Sequence, residues 1–166
     1  MKAKSGIPQS RTRGKYRSKF ERTIALYLKD KGIKFKYEET KFDYVVQGRN
    51  WIVCPTCGPI RGQIVRKYTP DFELPNEVFI ETKGRFLAKD RNKMIAVKKQ
   101  HPDLDVRLLF LSDNVIKELK VPIRYSEWAE KNGFHWAVKD IPASWLKPKK
   151  VKRPSWREAL GDDSTK

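Results

Sequence analysis

Two carboxylates and an amine stand close together in the segment TPDFELPNEVFIETKG, at Asp71, Glu81 and Lys83. Asp71 follows Pro70, which fixes φ and suits a turn or the start of a strand. Leu74-Pro75-Asn76 reads as a second turn. Val78, Phe79 and Ile80 are β-formers, so a short strand is predicted to run to Lys83. Side chains alternate across a strand, which puts Glu81 and Lys83 on one face and Thr82 on the other. If the turn returns Asp71 beside Glu81, two carboxylates converge on a cation with an ammonium next to them. Hydrolysis of a phosphodiester needs such a set. Carboxylate oxygens hold magnesium or manganese, which activates water and stabilises charge on the phosphate. The competing reading is a surface hairpin with a Glu81–Lys83 ion pair.

The elements that must position these residues follow from the flanking sequence. Ser18 to Gly32 is predicted as a helix, with Phe20, Ile24, Tyr27 and Leu28 as an apolar stripe. Ile33, Phe35 and Tyr37 alternate as a strand, and Phe42 to Val46 continues as a strand or extended linker. Residues 47–69 read as a polar, turn-rich insert with β-like pieces at 51–53 and 63–65. Residues 88–100 read as a basic amphipathic helix whose apolar contacts are Met94, Ile95 and Val97. The run VRLLFL at 106–111 suits a buried central strand. Ser126 is expected to cap a short helix, and IPASWL at 141–146 packs or trails off. Helices alternating with strands in this order imply a mixed α/β core.

Glu21 lies on the first turn of the first helix. Ser18 and Glu21 have the S-x-x-E spacing of a capping box, in which the glutamate bonds back to the Ser18 N–H. On spacing alone the cap is favoured over a catalytic role. Glu38 and Glu39 read as exposed.

Lys and Arg total 37 against 20 acidic residues, a net charge of +17 on 166 residues. Such an excess attracts phosphate backbones without reading bases. The charge concentrates at the ends: residues 1–19 hold seven basic residues and no acid, and 147–166 hold seven basic and three acidic. Residues 1–17 are expected to form a basic disordered arm, 18–146 the folded domain and 147–166 a basic tail. Lys15, Arg17, Lys19, Lys89, Arg91, Lys93, Lys98 and Lys99 are candidate phosphate contacts. No apolar run reaches the length of a membrane span, and the N-terminus lacks an apolar signal segment. Two cysteines do not make a disulfide framework, so a reducing cytoplasm is the expected compartment.

The chain resembles the bacteriophage endonuclease I group of Holliday-junction resolvases, within the PD-(D/E)xK nuclease superfamily. The resemblance runs from about Arg17 to Leu146. It rests on RSKFE (17–21), KGIKFKYEE (31–39), YTPDFELPN (68–76), VFIETKG (78–84), QHPDLDVRLLF (100–110) and IPASWL (141–146). It implies a restriction-endonuclease-like sheet flanked by helices. The implied activity is a metal-dependent endodeoxyribonuclease that makes paired nicks in four-way junctions and other branched DNA. By resemblance, Asp71, Glu81 and the Thr82 backbone carbonyl hold magnesium or manganese, with two ions per site. Lys83 assists the water and the phosphate, and Glu21 becomes the third acid. The resemblance also implies an intertwined homodimer that exchanges residues 18–43, with 44–69 as the bridge and 70–146 as the catalytic core.

This chain departs from that pattern twice. Lys36 stands where an acid is expected and is not counted in the site. The insert between Tyr44 and Tyr68 is longer than expected and carries Cys54-Pro55-Thr56-Cys57-Gly58. This is half of a zinc knuckle. Two antiparallel bridges could join both pairs into a four-cysteine zinc site on the dimer axis; the competing reading is a tight hairpin with two thiols. Two further functions compete for the whole chain: a restriction-like or transposase-associated nicking enzyme of the same fold, and a non-catalytic basic nucleic-acid-binding protein.

Overall fold

A computed structural model of the chain describes residues 14–147. The expected arm and tail therefore lie outside the described residues, apart from 14–17 and Lys147. Helix α1 spans Lys19–Asp30 and is capped by Ser18, whose hydroxyl accepts from Glu21 N at 3.1 Å. It ends before Gly32, whose φ of +66° closes the helix in the left-handed region that glycine tolerates. Strand β1 covers only Lys36–Tyr37, shorter than the alternation predicts. Strands β2 (Phe42–Cys54) and β3 (Gly58–Tyr68) follow, then β4 (Phe72–Glu73) and β5 (Val78–Lys83). Helix α2 spans Ala88–Gln100 and strand β6 Asp105–Phe110. A small β7–β8 hairpin (Val115–Ile116, Ile123–Arg124) precedes helix α3 (Tyr125–Lys131), strand β9 (His135–Val138) and helix α4 (Ala143–Leu146).

Five strands form the central sheet in the order β1-β4-β5-β6-β9. Strands β5, β6 and β9 run parallel; β4 pairs antiparallel with β5, and β1 antiparallel with β4. The mixed α/β architecture expected from the sequence is therefore present. Strand β5 alternates between two cores. Val78 and Ile80 join Ile24, Ala25 and Leu28 of α1 and Trp145 of α4 on one face. Phe79 joins Met94 and Val97 of α2, Phe86 and Trp128 on the other. Each such buried side chain contributes roughly 1.5–3 kcal/mol of transfer free energy. Both faces of β5 are covered, so the strand is apolar nearly throughout, and its charged residues collect at its C-terminal end.

The insert is a long hairpin. Strands β2 and β3 pair from Phe42↔Tyr68 to Cys54↔Gly58, with a register slip between Gln47 and Trp51. Gly48 sits at the slip, where a Cβ would stand 3.0 Å from the Gly62 carbonyl oxygen. Gly58, at φ +84°, turns the tip. β1 pairs on the β4 edge, and α1 covers the sheet face that carries Val78 and Ile80. The exchange of residues 18–43 implied by the resemblance would route these contacts between two chains.

Two local expectations change. Ser126 does not cap α3; Arg124 occupies that position, and its N–H donates to Glu127 Oε2 at 2.6 Å. Ser126 instead donates through its N–H and hydroxyl to the Asp113 carboxylate at 2.9 and 2.8 Å. On α2, Ile95 is 43 % exposed, and the core-facing residues are Arg91, Met94 and Val97. The helix lies over the sheet on its 90, 94 and 97 side rather than toward 95.

Candidate active site

The turn after β4 brings the two sequence-distant halves of the motif together. Leu74 N donates to Val78 O at 2.9 Å, and Phe72 pairs with Ile80 in antiparallel register. The same register carries Asp71 alongside Glu81 and Thr82. The Asp71 carboxylate accepts from both Thr82 N and Thr82 Oγ1, each at 2.7 Å. Thr82 thus holds Asp71 through its N–H and hydroxyl, a role that residue type and spacing do not reveal.

Glu81 is 2 % exposed, yet it is surrounded by charge. Its Oε1 lies 2.8 Å from Lys83 Nζ and 2.9 Å from Lys93 Nζ. Its Oε2 is buried without a hydrogen-bond partner. Burial pulls the Glu81 pKa up, but the charges of Lys83 and Lys93 outweigh it and hold the carboxyl below its usual range. Lys83 lies 3.5 Å from Asp90 as well. Burial would lower its pKa, but Glu81, Asp90 and Asp71 outweigh burial and raise it, so Lys83 remains an ammonium. Asp71 shows the opposite balance. Burial first, then the negative charge of Glu81, push its pKa up to about 7, against the hydrogen bonds of Thr82 and the charge of Lys83. Tyr68 is fully buried behind Glu81. Its hydroxyl lacks a well-formed hydrogen bond, and burial together with the charge of Glu81 pushes its pKa up.

These features suit a divalent cation. Two carboxylates converge, one holds a buried oxygen with no partner, and the other is destabilised as an anion by its neighbour. A dication between them would relieve both conditions, as a hard cation favours carboxylate oxygens. Asp71 and Glu81 would hold it.

Glu21 stands apart from this set. Its Oε2 accepts from Tyr37 Oη at 2.5 Å and from Arg17 N at 3.0 Å. Half of the capping box is present, because Ser18 accepts from Glu21 N, but the glutamate bonds to Arg17 rather than Ser18. The Tyr37 ring packs on Phe72, the residue after Asp71, with centroids 5.4 Å apart. Burial and Glu21 raise the pKa of Tyr37. Helix α1 lies on the sheet face opposite Glu81, and Glu21 is held by Tyr37 of β1. Lys36 is turned to Glu73 at 3.6 Å, away from the site. Glu39 is exposed as expected, but Glu38 is half-buried and pairs with Arg17 at 2.9 Å.

The candidate phosphate contacts divide. Lys15, Lys19, Lys89 and Lys99 are exposed. Arg17 is exposed while paired with Glu38. Arg91 is withdrawn: it is 5 % exposed, and its guanidinium donates to the Phe86 carbonyl at 2.6 Å. Lys98 donates to the Gly133 carbonyl and lies 4.4 Å over the Phe134 ring, so it secures the turn before β9. Lys93 faces Glu81. Asp90, Lys93, Met94 and Val97 share the i, i+3, i+4, i+7 side of α2, which is the signal that could have placed Asp90 and Lys93 at the site. Cys57 is exposed near the hairpin tip.

The phage endonuclease I family model matches residues 2–160. This chain belongs to the phage endonuclease I family. It is 40 % identical over 141 residues to Endonuclease I of Escherichia phage T7, covering 85 % of each chain. It is 38 % identical over 139 residues to Endodeoxyribonuclease 1 of Enterobacteria phage T3, covering 84 % of this chain and 82 % of that one. In this family member, the cysteine-bearing insert is a hairpin whose base packs against α2, where the Gln100 side chain bonds to the Val45 backbone.

Proposed function

We propose that this chain is a metal-dependent endodeoxyribonuclease that resolves four-way junctions and other branched DNA. The observation that carries the reading is the convergence of Asp71, Glu81 and Lys83 at one end of the sheet, with Glu81 Oε2 buried and unpartnered. The family membership and the names of its relatives support DNA cleavage. The resemblance of several sequence blocks in the same order supports the junction as substrate, and the net charge of +17 suits a phosphate-rich partner.

Asp71 and Glu81 hold magnesium or manganese, with the Thr82 carbonyl as a further ligand. A bound dication supplies an acidified water and neutralises charge on the phosphate. Thr82 fixes the Asp71 carboxylate. Lys83, kept cationic by Glu81, stabilises the charge that grows on the phosphate and orients the attacking water; it does not act as a base. The water oxygen forms the new bond to phosphorus and releases its proton to solvent, as the bond to the leaving sugar oxygen breaks and that oxygen takes a proton from solvent. Glu21 completes the rim through Tyr37.

Two copies act together as a homodimer, because a two-fold junction needs one site for each of two strands. An exchange of residues 18–43 would preserve the Glu21–Tyr37 contact and alter only which chain supplies it. Without the exchange, each site is drawn from one chain; with it, the partner's α1 and β1 complete the site. A zinc ion shared by Cys54 and Cys57 of two hairpins is a further proposal, tested by metal content of the purified protein.

The deciding assay is cleavage of an immobile four-way junction in magnesium, comparing wild type with Glu81→Ala. The expected result is paired nicks by wild type and loss of cleavage in the variant. Equal cleavage by both would remove Glu81 from the site. Equal rates on linear duplex and junction would remove the junction preference.

A further inference from the structure

Lys93 lies outside the Asp71–Glu81–Lys83 motif yet meets it directly. It belongs to α2, and its Nζ donates to Glu81 Oε1 at 2.9 Å, on the same oxygen as Lys83. Its Nζ also lies over the Tyr68 ring, 5.2 Å from the centroid. The side chain is 26 % exposed. The two lysines differ in what else they hold. Lys83 is 15 % exposed and has Asp90 as a second carboxylate. The other described contact of Lys93 is the aromatic face of Tyr68, which is a weaker partner than a carboxylate.

We propose that Lys93 is a displaceable counter-ion that couples cation binding to DNA binding. With the cation site empty, Lys93 neutralises the buried Glu81. When Glu81 is taken by a divalent cation, its negative charge is shared and Lys93 loses most of its attraction there. Lys83 keeps Asp90 and stays in place. The freed Lys93 ammonium, on a flexible four-carbon stem at the edge of the site, takes a DNA phosphate instead. The protein thus gains a phosphate contact only when the cation is bound, and the coupling is reciprocal: DNA that holds Lys93 also favours the cation. Lys93 is a positioning residue for Glu81 in one state and a phosphate contact in the other.

This inference rests on the nuclease reading above, and the test separates the two. Binding of a fluorescent four-way junction is measured across a salt series, with chelator and with calcium, for wild type, Lys93→Met and Lys93→Gln. A denaturing gel confirms that the junction stays uncut, and thermal melting confirms that each variant is folded. With chelator, wild type and variants should share one salt slope, because Lys93 is held by Glu81. In calcium, the slope of both variants should be smaller than that of wild type by about 0.9, the contribution of one phosphate contact. Calorimetry without DNA should show calcium binding the variants more tightly than wild type, because no ammonium has to be displaced. A slope difference present in both conditions would make Lys93 a permanent phosphate contact and overturn the proposal. No difference in either condition would make it purely structural, with the same consequence. Wild type that cleaves the junction in magnesium while failing these tests sinks the coupling alone; wild type that cleaves in no divalent metal sinks the nuclease reading with it.

Discussion

Asp71→Asn should stabilise the metal-free protein at neutral and alkaline pH, although it removes a residue of the candidate site. Burial and the charge of Glu81 raise the Asp71 pKa from 3.8 to about 7. A group whose folded pKa is raised favours the folded state while it is protonated. Its contribution is fully present below the unfolded value near 4 and is lost as pH rises toward 7. A shift of this size corresponds to about 4 kcal/mol, at 1.36 kcal/mol per unit. That is a large share of the stability of an ordinary domain. Asparagine is neutral at every pH and keeps a carbonyl oxygen to accept from Thr82 N and Oγ1, so the local hydrogen bonds survive. The assay is urea denaturation with chelator between pH 4 and pH 8 for both proteins. Subtracting the two profiles isolates Asp71 from other titrating groups. Wild type should lose stability relative to the variant across this window, and magnesium should restore it at pH 8 in wild type alone. Parallel profiles would refute the argument that Asp71 and Glu81 repel each other in a buried pair.

Two further outcomes test the assembly and the arm. If each site is drawn from one chain, Glu21→Ala and Glu81→Ala proteins refolded together should remain inactive, because every site carries one defect; recovered nicking would demonstrate exchange of α1 and β1 between chains. Removal of residues 1–16, which contain five basic residues, should weaken junction binding and flatten its salt dependence by about 0.9 for each phosphate no longer neutralised; an unchanged affinity and slope would exclude the arm from binding.

Local signals in the chain point to the residues at the centre of the candidate site. Pro70-Asp71, the turn at 74–76 and the β-forming run before Glu81 are such signals. An antiparallel return of β4 onto β5 follows from them, because a short turn leaves little freedom in register. Alternation then placed Glu81 and Lys83 on one face, and the 2.8 Å ion pair matches it. The helix at 88–100 was legible from its punctuation, but not its rotation. Arg91 reads as a surface cation in sequence and is buried on the Phe86 carbonyl in the fold. Ser126 has the residue type of a cap and serves Asp113 instead, because the β7–β8 hairpin brings Asp113 to the start of α3.

Which charges meet was decided by packing alone. Lys93 comes ten residues after Lys83 and reaches Glu81 because Met94 and Val97 anchor α2 against Phe79 on that sheet face. Glu21 meets Tyr37 of β1 because Ile24 and Leu28 draw α1 to the face opposite Glu81. The raised pKa of Asp71 and the lowered pKa of Glu81 depend on burial and on long-range neighbours. Residue type and spacing specify strands and turns, since those obey local geometry. The sign of an electrostatic shift depends on desolvation and on partners that the tertiary fold brings together, and it is there that two similar carboxylates become different.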